Sequence, residues 1–309
     1  MRAAGITEIG GDIGLLELPE PGELRPDEVL IDVRACGVGN WDDLVRTGGW
    51  DTGTRPPMAL GVEAAGVVAA TGTAVDVAAL GDAVTAHSVP VRHQGSWAQR
   101  WVAAAAHVAR IPPGIAFEDA AAFPVPALTA DQAISDALRV RSGQTILVNG
   151  AGGVTGGLLV QLAAARGARV LVTASPRDAR RLRALGAEGV LDYHRPGWPG
   201  RLRELTGGGA NGAVNAARSG GRDAIRAVRD GGRLATITGD PPPAERRITV
   251  LDVVVAPDGA RLRRLAAQLG RGALTISIAA RYPLDQAAAA LAAARRGSHG
   301  AATVLWSAG

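Results

Sequence analysis

One stretch of this chain, residues 145–173, constrains its fold more than any other. Thr145 to Val148 predict a buried parallel strand, and Arg169 to Thr173 predict the next one. The amphipathic run between them predicts a helix that ends at Gly167. Together they predict a βαβ unit with its glycines at the first strand-to-helix turn. Such a turn lets the backbone approach a pyrophosphate closely and places the phosphate charge at the positive end of a helix.

The glycines of this turn fit the pattern G-x-x-G-x-x-G at Gly150, Gly153 and Gly156. A tight turn that binds nothing is the alternative, but this many glycines in a strand–turn–helix favour a phosphate site. The predicted cradle consists of Gly150, Ala151, Gly152, Gly153, Val154, Thr155 and Gly156.

Length and composition indicate an ordinary globular protein. The 309 residues can form two domains with separate cores, and 47% hydrophobic and 20% charged residues are typical of such chains. The net charge is only +4 and the arginines are dispersed, so we expect no nucleic-acid partner. The sequence has no apolar run near 18 residues and no signal-peptide pattern, so we expect no membrane association and a cytoplasmic location.

The single cysteine excludes an intramolecular disulfide and any zinc site built from cysteines. Cys36 is predicted to be a small buried hydrophobe. His87 and His93 lie on a predicted loop without a recognisable carboxylate companion. The sequence therefore predicts no metal site.

The pattern of elements changes along the chain. Short strands and glycine turns predict a β-barrel-like domain over residues 1–120. Alternating strands and helices over 121–255 predict a doubly wound parallel sheet, with residues 248–255 as an apolar edge strand. In the tail, residues 256–309, a strand is predicted around 274–278.

The order of the motifs resembles the medium-chain dehydrogenase/reductase superfamily, and within it the zinc-free quinone oxidoreductase branch. The resemblance extends over nearly the whole chain and includes Gly61-x-Glu63-x-x-Gly66, Gly81-Asp82-x-Val84, Gly95-x-Trp97-Ala98, the glycine turn, Leu185-Gly186-Ala187 and Tyr282-Pro283-Leu284. It implies a GroES-like substrate domain (1–120, completed by 256–309), a Rossmann nucleotide-binding domain (121–255) and a homodimer joined through the final edge strand. Zinc-dependent members carry a cysteine where this chain has Gly39 and a histidine where it has Val62.

The cofactor predicted from the second strand is NADP(H). An NAD site would hold an acidic residue where that strand ends, whereas this chain has Ser175 and Arg177, which suit a 2′-phosphate. Arg180 follows on the same helix face, and Tyr193 matches a tyrosine that relatives place near this phosphate. Asp178 is the counter-evidence.

The resemblance also implies where the rest of the cofactor and the substrate bind. The cofactor crevice would be lined by Thr129, Asn215, Ala216, Ala217, Ile237, Thr238, Gly239, Val254 and Val255. The cleft for a small-molecule substrate would be lined by Asn40, Trp41, Trp50 and the 87–97 loop. The two tryptophans either stack on a planar substrate or close the mouth of the barrel.

The implied reaction is hydride transfer from NADPH to a quinone or an α,β-unsaturated carbonyl, acceptors that need no strong Lewis acid. Asp42, Asp43, His87 and water are the candidate proton donors. Relatives often have asparagine at position 39 and tyrosine at position 44, where this chain has Gly39 and Leu44. This departure leaves two alternatives open: a redox-neutral cyclisation or isomerisation in natural-product biosynthesis, and a non-enzymatic NADPH-binding regulatory protein.

Overall fold

The computed structural model describes residues 1–90, 94–297 and 299–306. The chain forms two compact units. Unit 1 comprises Met1–Val125 and Pro257–Gly309, and unit 2 comprises Pro126–Ala256. The sequence-based boundaries lie at 120/121 and 255/256.

The N-terminal part of unit 1 is built mainly from short strands. Its elements are β1 (Arg2–Ile6), β2 (Gly14–Glu17), β3 (Glu28–Val38), α1 (Asn40–Thr47), β4 (Met58–Ala59), β5 (Glu63–Thr71), β6 (Ala83–His87), β7 (Arg100–Ala104), β8 (Val108–Arg110) and α2 (Phe117–Ala121). α3 (Pro124–Gln132) contains the boundary and continues into a π-helical turn, Ala133–Ala137.

Unit 2 continues with alternating strands and helices. They are β9 (Thr145–Asn149), α4 (Val154–Ala165), β10 (Arg169–Ala174), α5 (Ala179–Ala184), β11 (Gly189–Asp192), α6 (Trp198–Thr206), β12 (Ala210–Asn215), α7 (Gly221–Ala227), β13 (Val228–Thr236) and β14 (Thr249–Asp252). All six strands are parallel, in the order β11-β10-β9-β12-β13-β14. The predicted doubly wound sheet is confirmed, although its edge strand covers only four of the eight residues predicted.

The tail adds α8 (Gly259–Gly270), β15 (Ile278–Pro283), α9 (Ala287–Arg296) and β16 (Ala302–Trp306). β16 pairs with β3, so the tail completes the large sheet of unit 1, in the order β15-β16-β3-β5-β6-β8 with β7 also on β3. A second sheet has the order β2-β1-β4. The core of unit 1 includes Ile31, Trp97 and Trp101, all essentially inaccessible to solvent.

The strand predicted around residues 274–278 is wrong in its position, because β15 begins only at Ile278. The backbone N–H groups of Ala273 and Leu274 both donate to the carbonyl of Gln268 and close the end of α8. Leu274 is fully buried there, so its apolar character reflects core packing and not strand pairing.

The parallel sheet positions polar side chains in one row. Thr173, Asn149, Asn215 and Thr236 are paired in register on four adjacent strands. All four lie near the carboxyl ends of their strands, which is the edge where ligands bind in open α/β sheets. In the described part of the chain, no helix is both long and apolar enough to cross a membrane.

Candidate functional site

The glycine loop between β9 and α4 depends on missing side chains at two positions. Gly150 has a φ of 83°, and a Cβ there would lie 2.9 Å from Cβ of Ala217. A Cβ on Gly156 would lie 2.7 Å from Cα of Ala151, so α4 packs directly on the preceding turn. Real Cβ atoms do not approach other atoms this closely, so both positions require glycine in this geometry.

The N-terminus of α4 is open. Gly153 is the N-cap, and a Cβ built on it would meet no atom within 4 Å. The first turn of α4 has no acidic residue of its own, and the carboxylate of Asp178 lies 3.4 Å from the position that a Cβ on Gly152 would take. An open, glycine-lined helix start fits a pyrophosphate group.

A buried network of hydrogen bonds supports the glycine loop between β9 and α4. Thr173 Oγ1 donates to Asn149 Oδ1 (2.6 Å) and accepts from the Gly150 N–H (2.9 Å). Asn149 Nδ2 donates to Asn215 Oδ1 (2.8 Å), and Asn215 Nδ2 lies 3.2 Å from Thr238 Oγ1. The network therefore joins the glycine loop to the loops that follow β12 and β13.

The residues predicted after β12 and β13 surround this network. The Ala216 N–H donates to the Asn149 carbonyl (2.8 Å), and the Ile237 N–H donates to the Asn215 carbonyl (3.0 Å). Ala217 is the neighbour that excludes a side chain at Gly150. Thr238 donates to the Asp240 carboxylate, which also accepts the Ser219 N–H (2.6 Å). The structure brings these predicted residues together around Asn215.

The cationic residues after β10 divide into two groups. Arg177 and Arg180 are exposed, and no side-chain partner is found for either among residues 1–90, 94–297 and 299–306. Arg181, which sequence reasoning missed, donates to the Gly152 carbonyl (3.0 Å) and lies 3.6 Å from the Asp178 carboxylate. Asp178, the acidic residue that argued against NADP(H), is therefore buried beside a cation, whereas Arg177 faces solvent.

Four further predicted cofactor residues lie around the same sheet. Ser175 begins the turn after β10, and Tyr193 follows β11, with its ring 4.0 Å from that of His194. Tyr193 lines an open depression of about 560 Å³ that also includes Arg195, Arg203 and Arg226. Val254 and Val255 follow the edge strand, and Val254 is 71% exposed.

Thr129 lies on α3 and is buried.

In unit 1, the indole of Trp41 takes the space beside Gly39. A Cβ on Gly39 would overlap the Trp41 ring. Any side chain at this position, cysteine or asparagine included, would require the indole to move. In the family that the chain resembles, zinc-dependent members carry a cysteine at the position of Gly39. In this chain the Trp41 ring fills the space of that side chain.

Two buried carboxyl groups lie in this region, that of Asp42 beside Gly39 and that of Glu63 beside Gly37. Asp42 Oδ2 accepts the Gly39 N–H (2.8 Å), while its Oδ1 is buried without a partner in the described residues. Glu63 Oε2 accepts the Val125 N–H (2.7 Å), and its other oxygen lies against Gly37. Burial raises the pKa of Asp42 to about 8. Burial, reinforced by the charge of Asp42, raises the pKa of Glu63 well above its usual value.

The other two candidate proton donors differ from Asp42. Asp43 is ion-paired with Arg46 (2.9 Å) and Arg295 (3.2 Å), so its charge is already compensated. His87 is completely buried, and its Nδ1 lies 2.9 Å from the Val62 carbonyl. Burial lowers the pKa of His87 to about 4, so its ring is neutral at pH 7.

The three predicted substrate residues are not equivalent. Asn40 is exposed at the start of α1 next to Trp41. Trp50 lies beyond α1 and lines a small cavity that includes neither Asn40 nor Trp41. His93, in the predicted 87–97 loop, lies outside the described residues.

Sequence reasoning named Asn215 and Thr238 but missed Asn149 and Thr173 as partners in the network. A signal for them was present, because each hydrophobic strand carries a polar residue near its end: TILVN, VLVT and GAVN. Arg181 carried no such signal, since a helix surface rich in arginine does not indicate which side chain reaches back to the loop.

Comparisons with known proteins find matches for both parts of the chain. Residues 25–113 match the family model described as "Alcohol dehydrogenase GroES-like domain", and residues 154–262 match the model described as "Zinc-binding dehydrogenase". The first match lies in unit 1. The second begins at α4, directly after the glycine loop.

Three curated relatives illustrate the range of similar proteins. The chain is 30% identical over 217 residues to quinone oxidoreductase of Mus musculus, and the match covers 67% of this chain and 62% of that protein. It is 32% identical to trans-enoyl reductase ACTTS2 of Alternaria alternata, over 67% of this chain and 63% of that protein. It is 40% identical over 60% of its length to erythronolide synthase EryA2 of Saccharopolyspora erythraea, of which the match spans 5%. The chain thus matches less than two thirds of each relative.

Solved structures match over almost the whole chain. An NAD-dependent alcohol dehydrogenase has a TM-score of 0.89 at 29% identity, with 99% of both chains covered. A mycobacterial protein complexed with NADPH has a TM-score of 0.86 at 26% identity, with 99% of this chain and 100% of that chain covered.

A glycine-loop parallel sheet together with a GroES-like unit defines a two-domain, dehydrogenase-type fold, as predicted. The chain belongs to the medium-chain dehydrogenase/reductase superfamily and, within it, to the quinone oxidoreductase-like branch.

Proposed function

We propose that the protein is an NADPH-dependent, zinc-independent oxidoreductase that reduces a quinone or an α,β-unsaturated carbonyl compound. The observation that carries the proposal is the open glycine cradle at the start of α4, combined with the exposed Arg177 after β10. The names of the mouse and Alternaria relatives support both acceptor classes.

The nucleotide would be held by residues of unit 2. Gly152, Gly153 and the first N–H groups of α4 suit the pyrophosphate, because they present donors without side chains. Ser175 and Arg177 suit a 2′-phosphate, since a hydroxyl and an uncommitted guanidinium both donate to phosphate oxygens. Asp178 does not oppose this preference, because it is buried and lies beside Arg181.

When bound, the nicotinamide cofactor supplies the hydride. Asn149, Asn215 and Thr238 would keep the adjoining loops fixed, so that little backbone reorganisation is needed when the reactants meet.

Zinc independence is supported by the surroundings of Gly39. The Trp41 ring fills the space of a side chain at that position, and Val62 offers no ligand atom.

The proton would come from water. Asp43 is ion-paired and His87 is a neutral, completely buried ring, so neither is suited to donate at pH 7. Asp42 holds a proton at pH 7 because its pKa is about 8, but its carboxyl group is fully buried.

The test is a titration of the purified chain with NADPH and NADH, followed by absorbance at 340 nm with a panel of quinones and enones. We expect NADPH to bind more tightly than NADH and to be oxidised only when an acceptor is present. Loss of one charge-assisted bond in Arg177→Ala should weaken NADPH binding about 10- to 100-fold. Binding of NADH should change little.

Arg183→Ala is the matched control, because Arg183 is an exposed arginine on α5 that the prediction does not include. Equal loss in both variants would refute a specific role for Arg177. Tight NADPH binding without oxidation by any acceptor would favour the redox-neutral or regulatory alternative. Binding of neither nucleotide would refute the cradle itself.

A further inference from the structure

A cavity in unit 1 is lined by residues that include neither Gly39 nor Trp41. It has a volume of about 160 Å³ and lies between the end of α1 and the loop that leads to β4. Its apolar walls are formed by Ile9, Val45, Trp50 and Met58. Drug-sized ligands need about 300–1,000 Å³, but an apolar cavity of about 150 Å³ can hold a benzene ring. The volume therefore suits an occupant the size of a single ring.

One polar feature interrupts the apolar wall. Thr52 and Thr54, both more than nine-tenths buried, line the cavity with their Oγ1 atoms 2.9 Å apart. Two hydroxyl groups that share one hydrogen bond use only one of their two protons. Whichever threonine accepts keeps an O–H for which the described residues provide no acceptor. A buried hydroxyl of this kind gains free energy from a ligand oxygen that accepts its proton.

The charges at the cavity compensate each other. Asp51 Oδ1 lies 3.2 Å from Arg55 Nη1 and also accepts the Gly53 N–H (2.8 Å). Arg55 Nη1 donates in addition to the Thr54 carbonyl (2.7 Å). These bonds brace the loop internally, so the cavity is formed before a ligand arrives. The compensated rim favours a neutral occupant over an ion.

We propose that this cavity binds a small, neutral, single-ring compound whose carbonyl oxygen accepts a hydrogen bond from the Thr52–Thr54 pair. The inference rests on the proposed function in one respect: given a reductase of enones or quinones, the cavity indicates that its substrates have one ring.

The experiment is calorimetric titration of the full chain with 2-cyclohexen-1-one, without nucleotide. We expect saturable binding that Thr52→Val and Thr54→Val each weaken about two- to tenfold, since a neutral hydrogen bond is lost. Thr47→Val is the matched control, because the Thr47 hydroxyl is exposed on α1 and bonds to its own helix. It should bind the probe as the unmodified chain does.

A second variant tests the walls without relying on the hydroxyl pair. Ile9 is half exposed at the cavity, so Ile9→Phe fills the space with little strain on the core, and we expect binding to be abolished. No binding to the unmodified chain, or equal binding to all variants, would overturn the inference. The proposed function is measured separately: NADPH oxidation by enones, together with probe binding that is absent or equal in all variants, would leave the proposed function intact and refute the cavity. Probe binding that the threonine variants weaken and Ile9→Phe abolishes, without any NADPH oxidation, would support the cavity and refute the proposed function.

Discussion

At the scale of single residues, absent side chains matter as much as present ones. Gly150 and Gly156 permit contacts that a Cβ would prevent, whereas Gly153 leaves open the space that a phosphate would enter. Gly39 serves a third purpose, because the indole of Trp41 replaces the side chain that it lacks. The three types of glycine are indistinguishable in the sequence.

The buried carboxyl of Asp42 leads to a prediction about pH. Its pKa is raised from 3.8 to about 8 in the folded chain, so its stabilising contribution is complete below pH 4 and is lost as the pH rises to about 8. We expect the free energy of unfolding of Asp42→Asn to fall less over this range, because asparagine cannot ionise and still accepts the Gly39 N–H. Urea unfolding at several pH values between 4 and 9 would measure it.

Asp76→Asn is the control for this experiment, since Asp76 is exposed. Its pH profile should match that of the unmodified chain. Part of the slope should remain in Asp42→Asn, because the pKa of Glu63 is raised as well. A pH profile for Asp42→Asn identical to that of the unmodified chain would refute the raised pKa of Asp42 as a cause of the slope.

At the scale of elements, the parallel strands deliver their terminal side chains into one row. The pairing of β10, β9 and β12 places three of these residues side by side, namely Thr173, Asn149 and Asn215. Each of these side chains is buried, and together they satisfy polar groups that would otherwise be costly at the end of an apolar sheet. The network is thus a consequence of strand order.

Thr173 is the member of the row that can be tested most cleanly. Thr173→Val preserves the shape but leaves the Gly150 N–H and Asn149 Oδ1 unpaired, and we expect it to cost about 1–3 kcal/mol in urea unfolding. NADPH affinity should fall as well, because the glycine loop loses its support. Thr173→Ser retains the hydroxyl and should cost about 1 kcal/mol or less. Equal effects of valine and serine would show that the methyl group, and not the hydroxyl, stabilises the loop.

At the scale of the whole molecule, the exposed edge of the parallel sheet is the feature that requires explanation. β14 is the last strand of that sheet, and the following Val254 is 71% exposed. Uncovered strand edges pair readily with other strands. We propose that this edge joins two copies of the chain, in line with the homodimer that the family resemblance implies.

Sedimentation velocity tests this proposal. We expect the unmodified chain to sediment as a dimer and Val254→Asp to shift it towards the monomer, because a carboxylate cannot be buried at an apolar interface without a partner. Leu80→Asp is the matched control: Leu80 is 75% exposed in unit 1 and should have no effect. A monomeric unmodified chain, or equal dissociation of both variants, would contradict the proposal.

What the sequence determined by itself is the set of local patterns. Alternating apolar strands and helices predicted the doubly wound sheet, because strand, helix and turn preferences depend on neighbouring residues. The glycine loop was predicted on the same grounds, whereas Asn215 and Thr238 were expected from the family resemblance. The order of the glycine motifs indicated the superfamily. Element ends were less well determined, as the positions of β14 and β15 show.

Only the tertiary structure decided which side chains meet. It placed Arg181 against the glycine loop and buried Asp178 beside that arginine. It also placed the Trp41 ring beside Gly39 and Trp50 at a cavity that Trp41 does not line. These outcomes depend on the rotamers and close packing of residues far apart in the chain or on different helix faces, which no local pattern encodes.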